Sequence, residues 1–269
     1  MPDNIVKSKE LETAIKAALE AGKILQKHQE TEIERIVKED KSMVTLADTE
    51  SEEVIKKIIS KNFPEHSVVG EETDAIKTKS PYTWYIDPID GSRNFAHKIP
   101  FFAVSIALLQ EEDIIIGVVY NPATNSLFFA EKGKGAYLNG KQIHVSKADR
   151  DKCIVTVAVG RNSSQLLRRN LLHDLPENVV SSVRDFGCTA LDLALVARGS
   201  IEADIKIGFK TYDAASGILL IMEAGGIVTG LNGEKWKLSD EGSFIASNGV
   251  FHNVLVEEVK KQKIKLNLL

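Results

Sequence analysis

The sequence has little cysteine, few aromatic residues and no long apolar run. Its two cysteines, Cys153 and Cys188, stand far apart without a pairing pattern, which favours buried thiols over a disulfide. The longest apolar runs, such as residues 101–109, are too short to cross a bilayer. The first residues lack the basic stretch and apolar segment of a secretory signal. We therefore expect a cytoplasmic protein that does not interact with membranes.

An excess of positive charge is also missing. The chain has 34 Lys and Arg against 38 Asp and Glu, a formal net charge of -4. Proteins that bind nucleic acid usually present a basic face, so we expect no nucleic-acid partner. With 43% hydrophobic and 27% charged residues, the composition is that of a globular protein. An anionic substrate must then be held locally, by a metal ion or by a few cationic side chains.

The length of 269 residues permits one large domain or two closely packed halves. Apolar residues at helical spacing predict helices at residues 11–25 and at about 48–61. Short apolar runs separated by turn residues predict antiparallel hairpins up to about residue 150. Strands and helices alternate from residue 153 onward, which predicts an α/β second half. Since no linker separates the halves, we expect one domain, 1–269, with subdomains of about 1–150 and about 151–269.

The densest chemical signal is the segment Asp87-Pro88-Ile89-Asp90-Gly91-Ser92, which follows an apolar strand expected at residues 82–86. Pro88 favours extended geometry at Asp87, so the chain is expected to turn sharply with both carboxylates close together. A divalent cation is the simplest way to remove their repulsion. A helix starting near Ser92 would direct free N–H groups at a phosphate. The alternative is a simple turn with Asp90 as a helix cap.

Three further acidic sites have simple structural explanations when taken alone. Glu71 and Glu72 follow a short strand, and adjacent glutamates are usually solvated surface residues. Asp48 and Asp213 each stand where a helix begins, and both are expected to be N-caps. None of these sites predicts a function by itself.

Taken together, these segments resemble the signature segments of the inositol monophosphatase family. The resemblance rests on Gly70-Glu71-Glu72, residues 87–95, Tyr212-Asp213-Ala214-Ala215 and Glu223-Ala224-Gly225-Gly226, in that order. It covers nearly the whole chain and implies the family's fold, a five-layered αβαβα sandwich of mixed α/β class. The family also implies a homodimer.

The resemblance further implies a phosphatase site with two or three Mg²⁺ ions. The implied metal ligands are Glu71, Asp87, the carbonyl of Ile89, Asp90 and Asp213. Glu71 and Ser92 would position and help deprotonate the attacking water, with Asp48 supporting them. The substrate would contact Asp90, Gly91, Ser92 and Asp213. The implied reaction is direct in-line attack of metal-activated water on phosphorus, without a phospho-enzyme.

The substrate is expected to be a small phosphorylated polyol or sugar. Where animal-type members of the family have a glutamate that binds inositol hydroxyls, this chain has Lys206. Together with Arg184, Lys206 is a candidate to bind a second phosphate, as in fructose 1,6-bisphosphate, unless it is simply solvated. Residues 183–203 are similar to archaeal members that accept both inositol 1-phosphate and fructose 1,6-bisphosphate. The expected substrates are therefore one or both of these compounds.

Two other functions remain open from the sequence. A 3′-phosphoadenosine 5′-phosphate phosphatase would share the metal carboxylates, although Arg93-Asn94-Phe95 resembles the inositol branch more closely. A non-catalytic, metal-dependent sugar-phosphate binding protein would keep the fold. The presence of the water-activating residues Glu71 and Ser92 argues against the binding protein, because binding alone does not need them.

Overall fold

The structure of the chain is a computed structural model that describes residues 6–30, 36–37, 43–160, 163–238 and 242–267. The first residues, on which the expectation of no secretory signal rests, lie outside this range. Among the described residues, no helix is long and apolar enough to span a membrane. The helices are α1 Lys9–Gln29, α2 Leu46–Asn62, α3 Ser92–Ala96, α4 Gln165–Asn178, α5 Thr189–Ala197, α6 Thr211–Glu223 and α7 His252–Lys265.

The strands of the described residues form two large sheets and one small two-stranded pair. The pair consists of β1 Ile36–Val37 and β2 Met43–Val44. The first large sheet contains β3 Ser67–Gly70, β4 Tyr82–Asp90, β5 Ala103–Gln110, β6 Asp113–Asn121, β7 Ser126–Glu131, β8 Ala136–Leu138 and β9 Lys141–Ile143. The second contains β10 Ile154–Val159, β11 Ser182–Arg184, β12 Ala203–Phe209, β13 Ile227–Thr229 and β14 Gly242–Ser247.

The two large sheets differ in topology. The seven-stranded sheet has the order β3-β4-β5-β6-β7-β8-β9 and is antiparallel except for the parallel pair β3 and β4. The five-stranded sheet has the order β11-β10-β12-β14-β13, with parallel pairing from β11 to β12 and antiparallel pairing at β14. This is the difference between hairpins and crossover connections that the sequence predicted for the two halves.

The helices cover both faces of each sheet and produce five layers. Helices α1 and α2 share a core with one face of the seven-stranded sheet, and α5 and α6 pack between the two sheets. Helices α4 and α7 cover the outer face of the five-stranded sheet. The sequence of β5 is continuously apolar because both of its faces are buried. Ile106 packs in the core shared with α1 and α2, and Ala107 packs in the core shared with α5 and α6. The predicted αβαβα sandwich is confirmed.

Some of the expected boundaries were wrong, and the correction to β4 affects Asp87 and Asp90. Strand β4 does not end at Ile86 but continues through Asp90, with a register shift between Asp87 and Asp90. The chain therefore bulges within the strand instead of turning sharply after it. In the second half, helix α4 continues to residue 178, and β11 begins only at Ser182.

Asp48 and Asp213 are not N-caps. The N-cap residues of α2 and α6 are Thr45 and Lys210, and each acid is the third residue of its helix. Their carboxylates accept hydrogen bonds from the backbone N–H of Thr45 at 2.7 Å and of Lys210 at 3.1 Å. The acids therefore bind back to the residue before the helix, which is the second half of a capping box.

Candidate functional site

Three carboxylates from different elements meet where β3 and β4 approach the start of α6. One oxygen from each of Glu71, Asp87 and Asp213 lies within 4.8 Å of the other two. Glu71 and Asp87 are neighbours because β3 and β4 are parallel and Gly70 pairs with Ile86, so the next residue of each strand stands beside the other. Asp213 is brought to them by the first turn of α6.

The electrostatics of this cluster favour a bound cation. Burial, followed by the charges of Glu71, Asp90, Asp213 and Asp48, raises the pKa of Asp87 well above its usual range. Burial, followed by the charges of Asp90 and Glu71, also raises the pKa of Asp213, although hydrogen bonds with Lys210 and Asp87 oppose the increase. A divalent ion would offset both effects, and carboxylate oxygens are the ligands that suit Mg²⁺. The side chains present therefore fit such an ion.

Asp90 is held from the other half of the chain. One of its carboxylate oxygens accepts hydrogen bonds from the backbone N–H of Ala190 and from the thiol of Cys188, at 3.2 Å for the thiol. Burial raises the pKa of Asp90, and these two hydrogen bonds oppose the increase. Both donors lie at the start of α5, so this contact joins the two halves at the site.

Gly91 and Ser92 form the short connection after Asp90. Gly91 has a positive φ of 85°, and a Cβ there would lie 3.1 Å from the carbonyl oxygen of Phe101. Only glycine adopts this conformation in such a confined space without strain. Ser92 then begins α3, as the sequence predicted, and its hydroxyl donates to the carbonyl of Ile89 at 3.1 Å.

A cavity of about 470 Å³ opens beside Asp90. Its lining includes the side chains of Arg93, Arg168 and Lys206 together with Cys188. Two of these cations were missing from the sequence prediction. Arg93 lies inside the motif at residues 87–95 and was within reach of sequence reasoning. Arg168 lies on α4 with no local pattern that connects it to Asp90.

Lys206 is neither solvated nor a free cation. It is 1% exposed, and its Nζ lies 2.6 Å from a carboxylate oxygen of Asp192 and 3.3 Å from one of Asp204. The solvated alternative is therefore wrong. Its charge is already balanced by two buried acids, which removes the reason for assigning it to a second phosphate.

Arg184 lies apart from the other predicted substrate residues. Its side chain is exposed and donates to the hydroxyl of Ser182 and to the carbonyl of Val183. It is not among the described residues that line the cavity. The structure thus brings Asp90, Gly91, Ser92 and Lys206 to one region and leaves Arg184 on the edge strand β11.

A protein-family model described as the inositol monophosphatase family matches residues 7–263. The chain belongs to this family. It is 37% identical over 260 residues to the fructose-1,6-bisphosphatase/inositol-1-monophosphatase of Aquifex aeolicus, covering 94% of this chain and 96% of that one. It is 38% identical over 260 residues to the inositol-1-monophosphatase of Mesorhizobium japonicum, covering 93% and 96%.

Solved structures of the inositol monophosphatase fold agree with the architecture found here. The extragenic suppressor protein suhB from Bartonella henselae matches with a TM-score of 0.86 and 33% identity, over 94% of this chain and 99% of that one. Membership in the inositol monophosphatase family, together with these relatives, indicates a phosphatase. The family resemblance recognised in the sequence is confirmed.

Proposed function

We propose that the protein is a Mg²⁺-dependent phosphomonoesterase that hydrolyses inositol 1-phosphate, fructose 1,6-bisphosphate or both. The observation that carries this proposal is the convergence of Glu71, Asp87 and Asp213 within 4.8 Å. Three carboxylates this close together, with Asp87 buried and the other two half-buried, repel one another unless they are protonated or a cation is bound. At neutral pH, in a family of phosphatases, a bound Mg²⁺ is the chemically suitable choice.

The proposed ligands of two or three Mg²⁺ ions are Glu71, Asp87, the carbonyl of Ile89, Asp90 and Asp213. Ions bound there would lower the pKa of water and would stabilise negative charge on the phosphate and on the leaving oxygen. The hydrogen bonds of Asp90 to the start of α5 support its assignment, because they restrict the carboxylate to one orientation.

Glu71 and Ser92 are proposed to orient the attacking water and accept its proton. The hydroxyl of Ser92 is already held beside the site by the carbonyl of Ile89. Asp48 is proposed to act behind them: it is 1% exposed, and one of its oxygens accepts from both the N–H and the hydroxyl of Thr45 at 2.7 Å. These two hydrogen bonds hold Thr45 against the buried carboxylate of Asp48.

The substrate is proposed to lie between the carboxylates and the cavity beside Asp90. Its phosphate would contact the backbone at Asp90, Gly91 and Ser92, where the absence of a side chain at Gly91 allows a close approach. Arg93 and Arg168 line the cavity, and Arg168 is already paired there with Asp185. Arg93 therefore supports a second phosphate better than Arg168, or than Arg184, which lies outside the cavity.

The first experiment measures phosphate release by the metal-stripped protein with and without Mg²⁺. Inositol 1-phosphate, fructose 1,6-bisphosphate and 3′-phosphoadenosine 5′-phosphate are compared in parallel. We expect release from one or both of the first two and only when Mg²⁺ is present. Preference for the third compound would favour a nucleotide phosphatase, and metal binding without any release would favour a sugar-phosphate binding protein.

The same assay tests the acidic cluster through Asp213→Asn. The amide keeps the size of the side chain but removes one negative charge, so we expect a loss of activity of about 10²-fold or more at moderate Mg²⁺. Asp113→Asn is the matched control, since Asp113 is exposed and pairs only with Lys132 among the contacts described. Equal activity of the two variants would contradict the assignment of Asp213.

A homodimer is proposed on the family resemblance alone, and the cytoplasmic location expected from the sequence stays a proposal. Light scattering should then give about twice the chain mass of 29.6 kDa. A value equal to one chain would contradict the dimer without affecting the proposed reaction.

A further inference from the structure

Two buried charged residues of α2, Glu52 and Lys56, lie behind the acidic cluster and have no role in the reaction proposed above. The side chain of Glu52 is 0% exposed and that of Lys56 is 10% exposed, with 2.8 Å between the carboxylate and the ammonium. Burying such a pair is costly unless its remaining hydrogen-bonding groups also find partners. The location of those partners therefore indicates what the pair does.

The remaining partners lie in the loop that directly follows Glu71. The carboxylate of Glu52 accepts from the N–H groups of Glu72 and Thr73, at 2.8 and 2.9 Å, and from the hydroxyl of Thr73 at 2.6 Å. The ammonium of Lys56 donates to the carbonyls of Thr73 and Asp74, at 3.2 and 3.0 Å, and to the hydroxyl of Thr73. The loop is thus bound through both its N–H and its C=O groups.

The residue before Glu71 also packs against this pair. A Cβ on Gly70 would lie 2.2 to 2.6 Å from the carboxylate atoms of Glu52, so the backbone of Gly70 is in direct contact with that group. Glu71 therefore has a neighbour fixed to Glu52 on each side, Gly70 by packing and Glu72 by a hydrogen bond.

We propose that Glu52 and Lys56 are positioning residues. They hold the end of β3 and the loop after it, residues 70–74, so that the carboxylate of Glu71 faces Asp87 and Asp213. Without the pair, the loop would still connect β3 to β4 but would sample several conformations. Residues that orient metal ligands commonly change metal affinity by 10- to 100-fold when they are replaced. This inference rests on the proposed metal-dependent function.

The test compares Mn²⁺ binding by metal-stripped wild type, Glu52→Gln and Thr73→Val, measured by calorimetry without substrate. Mn²⁺ serves as the probe because it prefers the same oxygen ligands as Mg²⁺. We expect Glu52→Gln to weaken Mn²⁺ binding by about tenfold or more and Thr73→Val to weaken it by a smaller factor. Thr73→Val keeps the buried ion pair, so it reports on the loop even if Glu52→Gln folds poorly.

Glu258→Gln is the matched control. Glu258 is a buried glutamate on α7 that contacts Lys261 and Gln262 in its own helix, as Glu52 contacts Lys56. Thermal unfolding of all the metal-free variants separates general destabilisation from a local effect on the loop. Unchanged Mn²⁺ affinity in both Glu52→Gln and Thr73→Val, with only a lower melting temperature, would overturn the positioning role.

The outcome for the positioning role is separable from that for the proposed function. Wild type that binds Mn²⁺ without releasing phosphate would contradict the phosphatase proposal, while a weaker affinity of Glu52→Gln would still support positioning. If the wild type is active and all variants bind Mn²⁺ with equal affinity, the phosphatase proposal is supported and the positioning role is contradicted. Wild type without any Mn²⁺ binding would overturn both.

Discussion

At the scale of single residues, the ion pairs beside the cavity follow from the burial of charge. Lys206 lies between Asp192 and Asp204, and the hydroxyl of Thr156 donates to Asp204 at 2.6 Å. Burial lowers the pKa of Lys206, but the two carboxylates outweigh burial and raise it above its ordinary value. The lysine therefore stays charged and balances acids that would otherwise be isolated in the interior.

Removal of this lysine should be costly. Lys206→Met leaves two buried carboxylates without their cation, and we expect it to lower the free energy of unfolding by about 3–5 kcal/mol. Adding Asp192→Asn and Asp204→Asn to the same chain should recover a large part of that loss. Urea unfolding at neutral pH measures both. Lys132→Met, which removes a lysine from an exposed pair, should change stability by less than about 1 kcal/mol.

A small effect of Lys206→Met, comparable to that of Lys132→Met, would contradict the burial argument. It would also reopen the assignment of Lys206 to a second phosphate, because a lysine that is not needed by its acidic neighbours is available to a substrate.

At the scale of elements, close contacts between α6 and its neighbours place Asp213. A Cβ on Gly117 of β6 would lie 2.5 Å from the carbonyl oxygen of Ser216, so the helix touches the backbone of the sheet. The hydroxyl of Ser105 on β5 donates to the carbonyl of Tyr212 at 3.0 Å and lies 2.8 Å from the hydroxyl of Ser216. These contacts therefore fix the distance between the first turns of α6 and the seven-stranded sheet.

Gly117→Ala should push α6 away from the sheet. We expect a loss of about 1–3 kcal/mol in the free energy of unfolding, together with weaker Mn²⁺ binding because Asp213 moves with the helix. Gly133→Ala is the control: its φ is positive, so it is strained, but a Cβ there meets nothing within 4 Å. Both variants should lose stability, and only Gly117→Ala should lose metal affinity. Equal metal affinity in the two variants would contradict this account of α6.

At the scale of the whole molecule, the middle helical layer belongs to both sheets. Residues of α5 and α6 share one core with inward-facing residues of β5, β6 and β7 and with Phe244 and Ala246 of β14. Separating the sheets would expose this core, so we infer that the two predicted subdomains unfold as one cooperative unit. Calorimetry should then give a single transition for the wild-type chain.

The pH dependence of this unfolding should carry a contribution from His66. Its ring stacks on Phe63 and Tyr82, and its Nδ1 accepts from the indole N–H of Trp84 at 3.1 Å. Burial lowers the pKa of His66 below its ordinary value, although Glu65 and Glu10 oppose the effect. The unfolded chain therefore binds a proton at His66 more readily than the folded chain does. The free energy of unfolding should consequently decrease as the pH falls below about 6.5.

Urea unfolding at several pH values between about 5 and 7.5 measures this dependence. His66→Gln should flatten it, while His97→Gln, which changes an exposed histidine, should leave it as in the wild type. His252 contributes in the same direction because burial also lowers its pKa, so some slope should remain in His66→Gln. An unchanged slope in His66→Gln would contradict the assignment.

The order of elements, the two kinds of sheet and the acids of the candidate site were all predictable from the sequence. Periodicity, turn residues and short motifs are properties of neighbouring residues, and they singled out Asp87 and Asp90. Glu71 and Asp213 became candidates only through the resemblance to the inositol monophosphatase family. The proximity of Glu71, Asp87 and Asp213 follows from the pairing of β3 with β4 and from the first turn of α6. The motif resemblance anticipated that arrangement, and the assigned roles of these residues stay predictions.

The partners of buried charges were decided only by the tertiary structure. Lys206 pairs with Asp192, fourteen residues away, and Arg168 reaches the cavity beside Asp90 from a different layer. Glu52 binds the loop after Glu71 across twenty residues of chain. Hydrogen bonds and ion pairs of this kind depend on which surfaces the packing of helices on sheets brings together. A sequence therefore determines which residues carry charge, and the packed fold determines which charges meet.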